Sequence, residues 1–139
     1  MKKTHDHGLA ILVVDDDPEE LTTTCDALRS QHEVLSASSG QDALRIARKT
    51  RLGAIVLDVM MTGGLDGFST FNALQHDPNT QRIPVIFLTS VNQATGLSFG
   101  AGSLRRYLGT EPAAFLEKPI SAAKLCAEVD RILNDGYRT

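Results

Sequence analysis

The chain has 139 residues, enough for one compact domain and little more. Its hydrophobic fraction of 42% supports a real core, and its net charge of −3 excludes the broadly basic surface of a general nucleic-acid binder, though not a local basic patch. No apolar run approaches the ~20 residues that span a bilayer, which excludes a membrane-embedded helix and any membrane insertion by that route.

Residues 1–8, MKKTHDHG, carry two lysines with no apolar run directly behind them and read as a solvated tail that includes His5 and His7. The run LAILVV (9–14) is short and ends in three aspartates, so it is a strand and not a secretory signal; a cytoplasmic address is expected. Asp17 precedes Pro18, with Glu20 three residues after the aspartate. That is an N-cap with proline at N1 and a first-turn carboxylate, and it opens a helix over 18–30. Leu21, Cys25 and Leu28 form its apolar stripe.

EVLSA (33–37) is a weaker strand with the character of an edge. A helix follows over 41–50 around Leu44 and Ala47, then the strand AIVLD (54–58), then a third helix marked by Phe68, Phe71 and Leu74. PVIFLT (84–89) is the fourth strand. Residues 91–109 are hard to assign because glycines interrupt them at 96, 100, 102 and 109. AAFLEK (113–118) is the fifth strand, and Ser121 caps a last helix carrying Leu125, Val129 and Ile132, before a tail over 136–139. Cys25 and Cys126 lie in helical patterns among apolar neighbours and read as buried thiols, too few and too scattered for a disulfide framework or a zinc site.

Four of the strands are nearly continuous apolar runs, as expected where helices cover both faces of a parallel sheet. Repeated β-α units with right-handed crossovers give a doubly wound five-stranded α/β sheet, whose site lies at the carboxyl ends of the strands. Those ends carry Asp15, Asp16 and Asp17 on the first strand, Asp58 on the third, Thr89 and Ser90 on the fourth, and Lys118 before Pro119 on the fifth. Clustered carboxylates repel one another and persist where a hard cation such as Mg²⁺ compensates them. A lysine and a hydroxyl opposite them suit a phosphoryl group, whose transfer needs positioning and electrostatics more than covalent help.

The motifs ILVVDDDP, IVLDVMM, PVIFLTS and FLEKP occur in that order at successive strand ends. In them the chain resembles the receiver domains of bacterial two-component response regulators, over residues 9–135. The resemblance implies a flavodoxin-like (βα)5 fold and a set of roles. Asp58 would be the phospho-acceptor. Asp16 would be a direct Mg²⁺ ligand, Asp15 would act largely through water, and the Met60 backbone carbonyl would complete the set. Thr89 would bond a phosphoryl oxygen, and Lys118 would bridge the phosphate and the acidic pocket. Phe115 stands where the family carries an aromatic switch residue, although a phenyl ring cannot signal by a hydrogen bond and could equally be core. The implied partners are a sensor histidine kinase or histidine phosphotransfer protein and a downstream protein target, with no direct nucleic-acid contact. The sequence runs about one helix past Lys118, so the expectation is a stand-alone receiver whose output is a protein contact.

The chain departs from the family pattern twice. After Asp58, Thr62 replaces a common proline and one extra residue precedes Asp66-Gly67, so the Thr62-Gly63-Gly64 loop is expected to be freer than usual. Between Thr89 and Lys118 the segment GAGSLRRYLGTEPAAF is longer than usual, with Arg105-Arg106 where acids are common, so the surface used for partners is expected to be remodelled. Met60 and Val91, which cannot orient a water by hydrogen bonding, predict slow loss of a phosphoryl group. Two other functions compete. A haloacid-dehalogenase-type phosphatase would need an acid two residues after Asp58, where Met60 stands, and a pseudo-receiver would lack one of the acids or the lysine, all of which are present.

Overall fold

A computed structural model describes residues 9–61, 66–90 and 112–138. These form β1 (Ala10–Val14), α1 (Pro18–Arg29), β2 (Val34–Ala37), α2 (Gly40–Lys49), β3 (Leu52–Asp58), α3 (Gly67–Gln75), β4 (Val85–Ser90), β5 (Ala114–Lys118) and α4 (Ala122–Arg138). The expected elements are therefore present within a few residues of their predicted limits. Two segments lie outside the described residues: the Thr62-Gly63-Gly64 loop between β3 and α3, and the segment after β4 that includes Val91 and Arg105-Arg106.

Each helix start has a local cause. Asp17 caps α1 by accepting from Glu19 N at 2.9 Å and Glu20 N at 3.3 Å, as the Asp-Pro-x-Glu pattern predicted. Ser39 caps α2 through Asp42 N at 3.1 Å, Asp66 caps α3 through Ser69 N at 2.8 Å, and Ser121 accepts from Lys124 N at 3.0 Å.

All strand pairs are parallel, in the order β2-β1-β3-β4-β5. Alternate residues of each strand feed two separate cores. Leu12, Val14, Ile55, Leu57 and Phe87 face α2 and α3, while Ile11, Val13, Val56, Ile86 and Leu88 face α1 and α4. This two-sided burial is why the strands are continuous apolar runs. On the first side Phe87 sits at the centre of an aromatic group, 5.4 Å from the rings of both Phe68 and Phe71 and 6.0 Å from Phe115. On the second, Cys25 and Cys126 are buried free thiols, as expected; burial pushes both up from the usual thiol range.

The run 113–118 forms the expected strand, and β5 is an edge like β2, pairing with β4 alone among the described strands. Its residues are half-buried, except for exposed Glu117. A continuous apolar run reports burial of both faces of a strand and says nothing of how many neighbours the strand has. His32, one of the histidines that carried no assigned role, is buried at the α1–β2 connection, and its Nε2 lies 3.1 Å from Asp130 Oδ1 on α4. No helix among the described residues is long and apolar enough to cross a membrane.

Candidate functional site

Strand order reverses between β1 and β3, because the chain winds outward from β1 to β2 on one side and from β3 to β5 on the other. Loops leaving the two central strands diverge there and leave a crevice at the carboxyl ends. Asp15 follows β1 directly. Its backbone N–H bonds Ala37 O at 3.1 Å, extending the ladder, and its Oδ1 accepts from Asp17 N at 2.9 Å. Asp58 is the last residue of β3. Both carboxylates are almost wholly buried, at 3% and 5% exposure.

The floor of the crevice depends on Gly67. Its N–H bonds Val59 O at 2.9 Å, which draws the start of α3 onto the end of β3. A Cβ at this position would lie 2.3 Å from Asp58 O and 2.7 Å from Val59 Cα, both backbone atoms that cannot yield cheaply. Only glycine allows this approach.

From the far edge, Lys118 sends its side chain back across the crevice. Its Nζ lies 3.4 Å from Asp15 Oδ2 and 3.7 Å from Asp58 Oδ1, and it is hydrogen-bonded to Glu20 Oε1. The Lys118-Pro119 peptide bond is cis. Asp15, Glu20 and Asp58 each bring a carboxylate oxygen within 4.8 Å of the others.

This crowding governs the electrostatics. Burial first, then repulsion from Asp15, raises the Asp58 carboxyl to about 7, against the weaker pull of Lys118 and a hydrogen bond from the Met60 backbone N–H. Burial likewise raises Asp15, partly offset by the Asp17 N–H and Lys118. Burial alone would lower Lys118, but its bond to Glu20 and the charges of Asp58 and Asp15 outweigh that and raise it. The pocket thus holds more negative charge than it can comfortably ionise. Asp58 Oδ1 is also buried without a hydrogen-bond partner among the described residues. A buried carboxylate oxygen is ordinarily bonded, so this one is poised for a ligand outside the chain. Hard oxygen donors around an excess of negative charge fit a small divalent cation.

Other residues singled out from the sequence fall into place unevenly. Thr89, near the end of β4, is wholly buried one residue beyond Leu88, the β4 partner of Asp58. Asp16 is half-buried beside the crevice and outside the group formed by Asp15, Glu20 and Asp58. Asp17 is a cap. Met60 is 48% exposed at the mouth, with its backbone N–H on Asp58. Phe115 packs edge-on against Phe87. Sequence reasoning missed Glu20, which it read only as a first-turn carboxylate. The signal was available, because a glutamate three residues after a capping aspartate tends to reach back toward the helix start, and here the helix start borders the crevice.

The sequence pattern of the response regulator receiver domain matches residues 11–130. The chain is 32% identical over 124 residues to protein PilH of Pseudomonas aeruginosa, spanning 88% of this chain and 96% of that protein. It is 36% identical over 120 residues to the response regulator PleD of Caulobacter vibrioides, spanning 86% of this chain but only 25% of PleD. Among solved structures, a response regulator receiver domain protein from Clostridium thermocellum superposes with a TM-score of 0.76 at 24% identity, covering 93% of this chain and 97% of that one.

Proposed function

The chain belongs to the response regulator receiver domain family, and we propose that its receiver unit, residues 9–135, accepts a phosphoryl group on Asp58 with the help of Mg²⁺. The observation that carries this reading is the state of Asp58 itself. It is a buried carboxylate at the end of a central strand, with Oδ1 lacking a hydrogen bond among the described residues and only 3.7 Å from an ammonium group. Burying a carboxylate there is costly to the fold.

The donor is a phosphohistidine of a sensor histidine kinase or histidine phosphotransfer protein, or a small acyl phosphate. An Asp58 oxygen attacks phosphorus, the P–N or P–O bond to the donor breaks, and the leaving group takes the bonding electrons. The carboxylates of Asp15, Asp16 and Asp58 and the Met60 carbonyl would hold Mg²⁺, which neutralises charge on the phosphoryl oxygens when bound. Lys118 pairs with the new anion once Asp58 is esterified, since the carboxylate charge that attracted it has become a phosphoryl charge slightly farther out. The Thr89 hydroxyl donates to a phosphoryl oxygen, and movement of Thr89 is felt through β4 by Phe87 and hence by Phe115, which carries the change to a downstream protein. Met60, unable to orient a water, slows loss of the group.

The test is incubation with Mg²⁺ and acetyl phosphate followed by intact-mass measurement. The wild type should gain one phosphoryl mass and Asp58→Asn none. Labelling of the variant at the wild-type level would overturn the assignment.

A further inference from the structure

Glu20 has no part in the mechanism above, yet the pocket's one described lysine is hydrogen-bonded to it. The two groups differ in setting. Glu20 stands at the rim with its side chain 50% exposed, whereas Lys118 is 18% exposed and surrounded by three carboxylates. An ammonium in that position would be expected to favour the buried acids, where water competes least. Instead Nζ bonds Glu20, touches Asp15 at a long 3.4 Å, and stays 3.7 Å from Asp58 Oδ1, which is buried without a hydrogen-bond partner among the described residues. That unbonded oxygen is an observation independent of the acidic cluster, and it marks where a ligand would bond.

We propose that Glu20 is a positioning residue for Lys118: in the resting pocket it seats the ammonium at the rim, so that Asp58 Oδ1 stays open to a divalent cation and a phosphoryl donor, and it releases the ammonium when the phosphoryl anion arrives. Lys118 and the cation seek the same oxygens, so without a rim seat the lysine competes with the cation for Asp58 and Asp15. Glu20 suits this task because it sits at the third position of α1, where a side chain folds back over the helix start, and because its exposure lets the pair break cheaply. This inference rests on the phosphoryl-acceptor reading for the role of the open oxygen, but the seating of Lys118 can be tested without any phosphorylation.

The experiment is a double-mutant cycle read by calorimetric titration with Mg²⁺ alone. Glu20→Gln is isosteric and keeps the first-turn side chain, so the fold is retained, which a thermal melt checks. Glu19→Gln, on the same exposed turn, controls for the general loss of negative charge. In the wild-type background Glu20→Gln should weaken Mg²⁺ binding about 3–10-fold, and Glu19→Gln less than 2-fold, in line with rim charges being screened. In a Lys118→Met background Glu20→Gln should have no effect, since the competitor is gone. The ¹⁵Nζ resonance of Lys118 should also shift in Glu20→Gln and stay put in Glu19→Gln. An equal loss in both backgrounds would mean that Glu20 acts on the cation directly and would overturn the proposal, as would no loss in either or an unmoved Lys118 resonance. Should acetyl phosphate fail to label Asp58, the functional reading falls while this titration still decides the role of Glu20.

Discussion

Replacing Asp58 by asparagine should stabilise the metal-free protein, and by an amount that grows with pH. The native carboxyl titrates near 7, against 3.8 for the free group. Between those values the folded chain holds a proton that the unfolded chain has lost, so native stability falls as pH rises through the window. Below it both states are protonated and the penalty vanishes; above it the penalty is complete, on the order of 4 kcal/mol. Roughly 2–3 kcal/mol of this accrues between pH 5 and pH 8. Asparagine has the same shape and does not titrate, although its buried amide returns ~1–3 kcal/mol of desolvation cost at every pH. The constant part cancels when the two proteins are compared across pH. Urea unfolding followed by circular dichroism, in EDTA at pH 5, 6, 7 and 8, should therefore show the variant gaining on the wild type by ~2–3 kcal/mol from the lowest pH to the highest. Saturating Mg²⁺ at pH 8 should close most of the gap by stabilising the wild type alone. A difference that stays flat from pH 5 to pH 8 would show that Asp58 ionises like an exposed carboxylate, and the electrostatic account of the pocket would fail.

Two further outcomes are expected, the first from the geometry and the second from the proposed division between cap and metal ligand. Gly67→Ala must displace α3 from the Asp58–Val59 backbone, and a loss of ~2–3 kcal/mol in urea unfolding is expected, in the range of overpacked sites; a loss below ~0.5 kcal/mol would show that the helix start shifts freely. Asp17→Ala should cost about 1 kcal/mol of stability with little change in Mg²⁺ affinity, whereas Asp16→Asn should weaken Mg²⁺ binding with little change in stability. Equal losses of affinity in the two variants would show that the division between cap and ligand is wrong.

Much of this protein is legible in its sequence. The strands were legible because two-sided burial imposes continuous apolar runs, and α1 because Asp17, Pro18 and Glu20 are the local chemistry of a helix start. The meeting of Asp15, Asp58 and Lys118 was legible for a topological reason: in a parallel sheet all strand ends point to one edge, so residues 103 positions apart, such as Asp15 and Lys118, converge without any knowledge of packing. Tertiary structure alone decided the rest. The place of β5 at an edge depends on strand order, which periodicity does not encode. The pairing of Glu20 with Lys118 across 98 positions depends on how α1 sits over the crevice, and that of His32 with Asp130 on how α1 meets α4. The need for glycine at 67 arises only when α3 is drawn against β3. The raised titration of Asp58 likewise belongs to no residue by itself, because desolvation and repulsion exist only once the carboxylates are buried together.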